Sequence, residues 1–106
     1  MSLVRPEVRG NAAQLEGEEH GAGISLFVVD SPPGAGPALH HHPYAEVFVV
    51  QEGQARFFVG EEELDAGAGD VVIVPAEAVH RFVNGGAGRL RLVAIHESPR
   101  MVTAWL

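Results

Sequence analysis

The chain has 106 residues, a formal charge of −7 and no cysteine. At this length it reads as one domain, residues 1–106, with a single small core. The acidity argues against nucleic acid and anionic membrane surfaces as partners, and the lack of thiols excludes disulfides and thiolate ligands. A reducing cytoplasm suits such a chain. Residues 1–6 lack the apolar stretch of a secretory leader, so none is expected. The apolar runs at 26–29 and 71–74 fall far short of the roughly 20 residues of a membrane helix.

Taken in order, residues 3–8 offer an initial strand, and 10–23, with four Gly and three Glu, read as loop. His20 lies there alone and is read as solvated. Residues 24–29 are the first clear strand. Ser31-Pro32-Pro33-Gly34-Ala35-Gly36-Pro37 is a turn-rich loop that delivers the chain to His40-His41-His42. Strands follow at 38–42, 46–51 and 54–59, the last two joined by a hairpin turn at Glu52-Gly53. Glu61-Glu62-Glu63-Leu64-Asp65 is a solvated hairpin strand; its carboxylates alternate faces and cannot converge on one cation. Residues 71–75, 79–83 and 89–96 complete the set. The tail ends on Trp105-Leu106, read as covering an open sheet edge or packing in a homodimer. No stretch of helical length has a 3.6-residue apolar period, and short strands punctuated by Gly and Pro indicate an all-β sandwich or barrel.

The chemistry concentrates in two places. Alternation puts His40 and His42 on one strand face and His41 on the other. Pro43 ends or bends that strand, and Pro43-Tyr44-Ala45 swings Glu46 back toward the histidines. Glu46 then shares a face with Phe48 and Val50, in a strand apolar enough to bury it, and a buried carboxylate needs a partner. His80 arrives from a distant strand. Alone, each of these residues has a plainer reading: surface histidine, exposed carboxylate, core histidine bonded to a carbonyl. Together His40, His42, Glu46 and His80 read as ligands of one divalent transition metal, with Fe, Mn, Ni, Zn and Cu all compatible. His96 shares the inward face of Leu90, Leu92 and Ala94. It is a candidate acid/base or supporting group, or else a strand-end histidine meeting solvent. Tyr44 reads as a turn tyrosine, and Asn84 as turn chemistry.

These residues resemble the cupins. The family's first motif runs Gly, five residues, His-x-His, three or four residues, Glu, six residues, Gly. Gly34, His40, His42, Glu46 and Gly53 fit it, within residues 34–53. Its second motif runs Gly, five residues, Pro-x-Gly, two residues, His, three residues, Asn. Gly69, Pro75, His80 and Asn84 fit it, within residues 69–84, and Glu77 stands where the family has its second glycine. The resemblance implies a single-domain jelly-roll β-barrel. It implies a metal-dependent enzyme of dioxygenase type, and the apolar inward-facing residues Phe48, Val50, Phe57, Phe82 and Leu92 suit a small, partly apolar substrate. Alternatives are a non-enzymatic small-molecule binding or sensing module and a Lewis-acid isomerase or lyase.

Overall fold

The computed structural model describes residues 1–106. Eleven strands run in chain order: β1 Val8–Arg9, β2 Ala12–Glu16, β3 Ser25–Ser31, β4 His40–His41, β5 Glu46–Glu52, β6 Gln54–Val59, β7 Glu62–Gly67, β8 Val71–Val74, β9 His80–Asn84, β10 Leu90–His96 and β11 Ala104–Trp105. They form two antiparallel sheets. The six-stranded sheet has the order β1-β2-β3-β10-β5-β8, and the five-stranded sheet β11-β4-β9-β6-β7. This is the expected jelly roll. No helix is long and apolar enough to cross a membrane.

Strict alternation builds the core between the sheets. In β5, Phe48 and Val50 are buried; in β10, Leu90, Leu92 and Ala94; in β6, Ala55 and Phe57; in β9, Phe82. Phe48, Phe57 and Phe82 meet one another at ring-centroid distances of 5.0–5.8 Å, the range of favourable aromatic pairs. Arg56, facing out from β6, pairs with Glu63 and Asp65 on β7, so the acidic hairpin is a solvated face as expected.

The outer face of the larger sheet is also apolar. Cross-strand register aligns the row Ile73, Val47, Ile95 and Leu26 beside the row Val71, Val49, Val93 and Val28. Val71 and Ile73, on the edge strand β8, are more than half exposed.

Two local readings are corrected. Residues 10–23 are not one loop: residues 12–16 form β2, paired with β3, and Gly17–His20 form a short 3-10 helix. Ala-Ala-Gln-Leu-Glu has weak strand propensity, and its pairing with β3 overrides that preference. The initial strand at 3–8 shrinks to Val8–Arg9.

The departure at Glu77 has a physical counterpart. Glu77 is the one non-glycine residue with positive φ, at 70°. A Cβ in this left-handed region is strained by about 1–2 kcal/mol, and glycine is not. Glu77→Gly is therefore expected to raise stability by about 1 kcal/mol, seen as a higher Tm. A lowered Tm would mean that the contact between Glu77 and His41, 3.3 Å apart, outweighs the strain.

Candidate metal centre

Register brings the site together at one end of the sandwich. His40 stands opposite His80 across β4 and β9. His96 stands opposite Glu46 across β10 and β5. His42 follows β4 directly and projects between the two pairs. All four expected ligands are buried, from 1% exposed for His80 to 7% for His40. Each offers a donor atom, and these atoms lie within 4.8 Å of one another.

The hydrogen bonds fix the tautomers. His40 Nδ1 lies 2.8 Å from Ala38 O, His42 Nδ1 2.8 Å from Val102 O, and His80 Nδ1 2.8 Å from Ala78 O. A carbonyl only accepts, so each Nδ1 carries the proton and donates. In the neutral rings, each Nε2 then presents a lone pair inward. Glu46 Oε1 lies 3.1 Å from His42 Nε2 and 2.9 Å from His80 Nε2. Lone pairs and a carboxylate aimed at one another need a cation or protons between them. The donor set therefore fits a divalent transition metal, with second partners already holding the imidazoles, as metal-ligating histidines require.

His96 differs. Its Nδ1 lies 2.7 Å from the Tyr44 hydroxyl, whose oxygen also accepts the Val102 N–H at 3.0 Å. The Tyr44 hydroxyl can donate to or accept from His96 Nδ1, so this contact holds the ring in either tautomer and leaves the other nitrogen, Nε2, pointing inward. That nitrogen faces Glu46 Oε2 at 3.1 Å, close but off the axis of a well-formed hydrogen bond. Glu46 is thus divided: Oε1 faces His42 and His80, and Oε2 faces His96. The turn-tyrosine reading of Tyr44 is corrected, because its hydroxyl joins His96 to the C-terminal segment. A sequence window could not show this, since the contact spans 58 residues. His41 points away, as parity requires. Asn84 ties its turn, donating from Nδ2 to Ser31 O and Gly88 O and accepting the Gly86 N–H.

Electrostatics follow from this packing. Burial pushes the Glu46 carboxyl up, but contacts with His42, His80 and His96 outweigh it and hold the group well below the usual carboxylate range. Burial lowers His42, yet Glu46 and the Val102 carbonyl more than compensate and leave it raised. Burial keeps His40 lowered. The metal competes with a proton on His42 Nε2, which Glu46 favours, and less with one on His40 Nε2, which burial disfavours. Metal affinity is therefore expected to fall by about tenfold per pH unit once the pH drops below the raised His42 value. Titrations with Zn(II) across neutral pH check this; a flat profile would contradict it.

Beside the ligands lies a cavity of about 400 Å³. Its walls include Phe27, Val29, Phe48, Phe82 and Trp105, and three of the expected ligands, His40, His42 and Glu46, border it together with His96. Ser31 also borders it, with a buried hydroxyl that has no partner. None of the seven Arg lines it.

A jelly roll with both motifs in register and a buried His/Glu cluster at one end defines a cupin, and the comparison bears this out. A family model for the cupin domain matches residues 27–96, so the chain belongs to the cupin family. Polyketide synthase CurC of Streptomyces cyaneus is 37% identical over 68 residues, covering 63% of this chain and 44% of that protein. A structure of Bacillus subtilis oxalate decarboxylase, studied for its Mn(II) centres, superposes with a TM-score of 0.84 at 26% identity. It covers 97% of this chain and 30% of that one. The formate complex of Lactobacillus farciminis oxalate decarboxylase shares the fold, with a TM-score of 0.81 at 23% identity, covering 96% of this chain and 33% of that one. The chain thus spans less than half the length of each of these proteins.

Proposed function

We propose that this chain is a metal-dependent cupin enzyme of dioxygenase type, acting on a small, partly apolar molecule. The observation that carries the reading is the placement of His40, His42 and Glu46 on the wall of a largely apolar cavity, rather than sealed within the core. His40, His42, Glu46 and His80 would hold the metal, as a single domain's two motifs supply them. A divalent transition metal there supplies Lewis acidity and, for iron or manganese, a redox couple.

The chain's own residues narrow the substrate. Phe27, Phe48 and Phe82 favour a planar or apolar body. With no Arg at the cavity, a dianionic substrate would find no cationic side chain. A phenol or 1,3-dicarbonyl compound fits better, as it presents oxygen atoms at one end and carbon elsewhere. The likeness to a polyketide synthase supports this class, since polyketides carry repeated ketone units. Ser31 offers its free hydroxyl to a second polar atom. His96, beside the cavity and supported by Tyr44, is the group placed to handle a proton.

The test is oxygen consumption by the Fe(II)-loaded protein with small phenols and 1,3-diketones. Uptake of oxygen with loss of substrate supports the reading. A ligand bound and recovered unchanged would replace it with a binding module. The Mn(II)-containing relative favours a second reading, a Lewis-acid lyase, which predicts turnover of the Mn(II)-loaded protein without oxygen.

The half-exposed rows on the larger sheet support a homodimer, in which a second copy covers them. The patch has an apolar centre with Asp30, Arg91 and Glu52 aligned at one end, the usual anatomy of an interface. Sedimentation should give a dimer, and Ile73→Lys a monomer. A monomeric parent would end this proposal. A cytoplasmic location remains the reading that suits a cysteine-free chain.

A further inference from the structure

The three histidines of the centre are not held alike. His40 and His80 find their Nδ1 acceptors two residues back, at Ala38 and Ala78. His42 finds its acceptor 60 residues away, at Val102. Its orientation therefore depends on whether the C-terminal segment is docked. Thr103 Oγ1 also approaches His42 Nδ1, at 3.2 Å.

The same segment reaches the other ligands. The Val102 N–H donates to the Tyr44 hydroxyl, and Tyr44 contacts His96, which faces Glu46. Ala104 and Trp105 pair with His41 and His40 as β11. The Trp105 ring lies 4.9 Å from the His40 ring and forms part of the cavity wall. One short segment thus touches His40 and His42 directly and Glu46 through Tyr44 and His96.

It is lightly anchored. Ala104, Trp105 and Leu106 are exposed, and Trp105 is 62% accessible. None of the three belongs to the core cluster between the sheets. A segment with so little buried apolar surface opens without unfolding the protein.

We infer that residues 102–105 are a detachable strap of the metal centre: docked, they orient His42 and Glu46 for the metal and wall the cavity; undocked, they loosen both. This rests on the metal reading above. Linkage makes the coupling reciprocal, so a bound metal must also hold the strap down. Val102 and Tyr44 are positioning residues, since they act through His42 and His96.

The experiment uses Co(II), whose visible absorption reports its ligand geometry. In the intact protein, Co(II) is expected to slow hydrogen exchange of the 102–106 amides. Deleting residues 102–106, or substituting Val102→Pro, which removes the N–H donor to Tyr44 and restrains the backbone that carries the His42 acceptor, is expected to weaken Co(II) binding by about 10–100-fold, the usual loss when an outer partner of a ligand is removed. The visible bands should change in both variants. Tail exchange indifferent to Co(II), with unaltered affinity and bands in the variants, would overturn the inference while leaving the centre intact. An intact protein that binds no Co(II) would overturn the metal reading and the strap together. Should the deletion fail to fold, the exchange measurement on the intact chain decides alone.

Discussion

Glu46→Gln is expected to abolish stable metal binding while leaving the fold intact. The substitution keeps the shape of the side chain and removes its charge. Oε1 is the atom nearest both His42 Nε2 and His80 Nε2. A carboxylate there attracts the cation and offsets its positive charge; a carboxamide does neither well. The loss should exceed the roughly 10–100-fold that removing an outer partner causes. The introduced carboxamide can donate to an imidazole lone pair that otherwise has only acceptors opposite it. The variant loses the histidine contacts that hold Glu46 ionised but is also spared the burial of a charge, so the two changes oppose each other. The metal-free variant should therefore melt close to the metal-free parent. Calorimetric titration with Zn(II), paired with thermal unfolding, checks both halves. Retained affinity would remove Glu46 from the ligand set. A collapsed Tm would show that it serves the fold instead.

The second large effect is structural. Phe48→Ala should destabilise the protein by about 3–5 kcal/mol, the range for truncating a fully buried phenylalanine. Phe48 is 1% exposed and packs against Phe57 and Phe82 from the opposite sheet. Its ring also lies 6.1 Å from that of His80 and forms part of the cavity wall. A domain of this size has about 5–15 kcal/mol in total, so the loss takes about a fifth or more of its stability. Phe48→Leu retains much of the volume and should lose far less. Denaturant unfolding of both variants gives the comparison. Equal losses in the two would mean that the aromatic contacts, rather than filled volume, decide stability here.

Much of this was legible in the residues because strands have a short period. Alternation alone places Phe48, Val50, Phe57 and Leu92 inside, sends His41 away from His40 and His42, and puts His96 on the cavity side. The ligand set was legible because Pro43 resets the chain before Glu46, so one short stretch supplies three donors. What alternation cannot give is the partner of each group. Tyr44 looked like a turn residue because its roles depend on His96 and on Val102, more than fifty residues away. The strand β2 was hidden for a related reason. Ala12 to Glu16 carry little strand preference of their own, and the pairing edge offered by β3 decides their conformation. Glu77 shows the reverse case: a departure from the family motif marks the position where the backbone still adopts the conformation glycine favours.

The most direct test of the central claim is elemental analysis of the untagged protein by mass spectrometry, with His80→Ala prepared alongside. His80 comes from the second motif, 34 residues beyond Glu46, and joins the other ligands only through the fold. A single equivalent of a transition metal in the parent, and almost none in a folded His80→Ala variant, is expected. The same metal content in both proteins, or none in the parent after anaerobic reconstitution with Fe(II) or Mn(II), would contradict it.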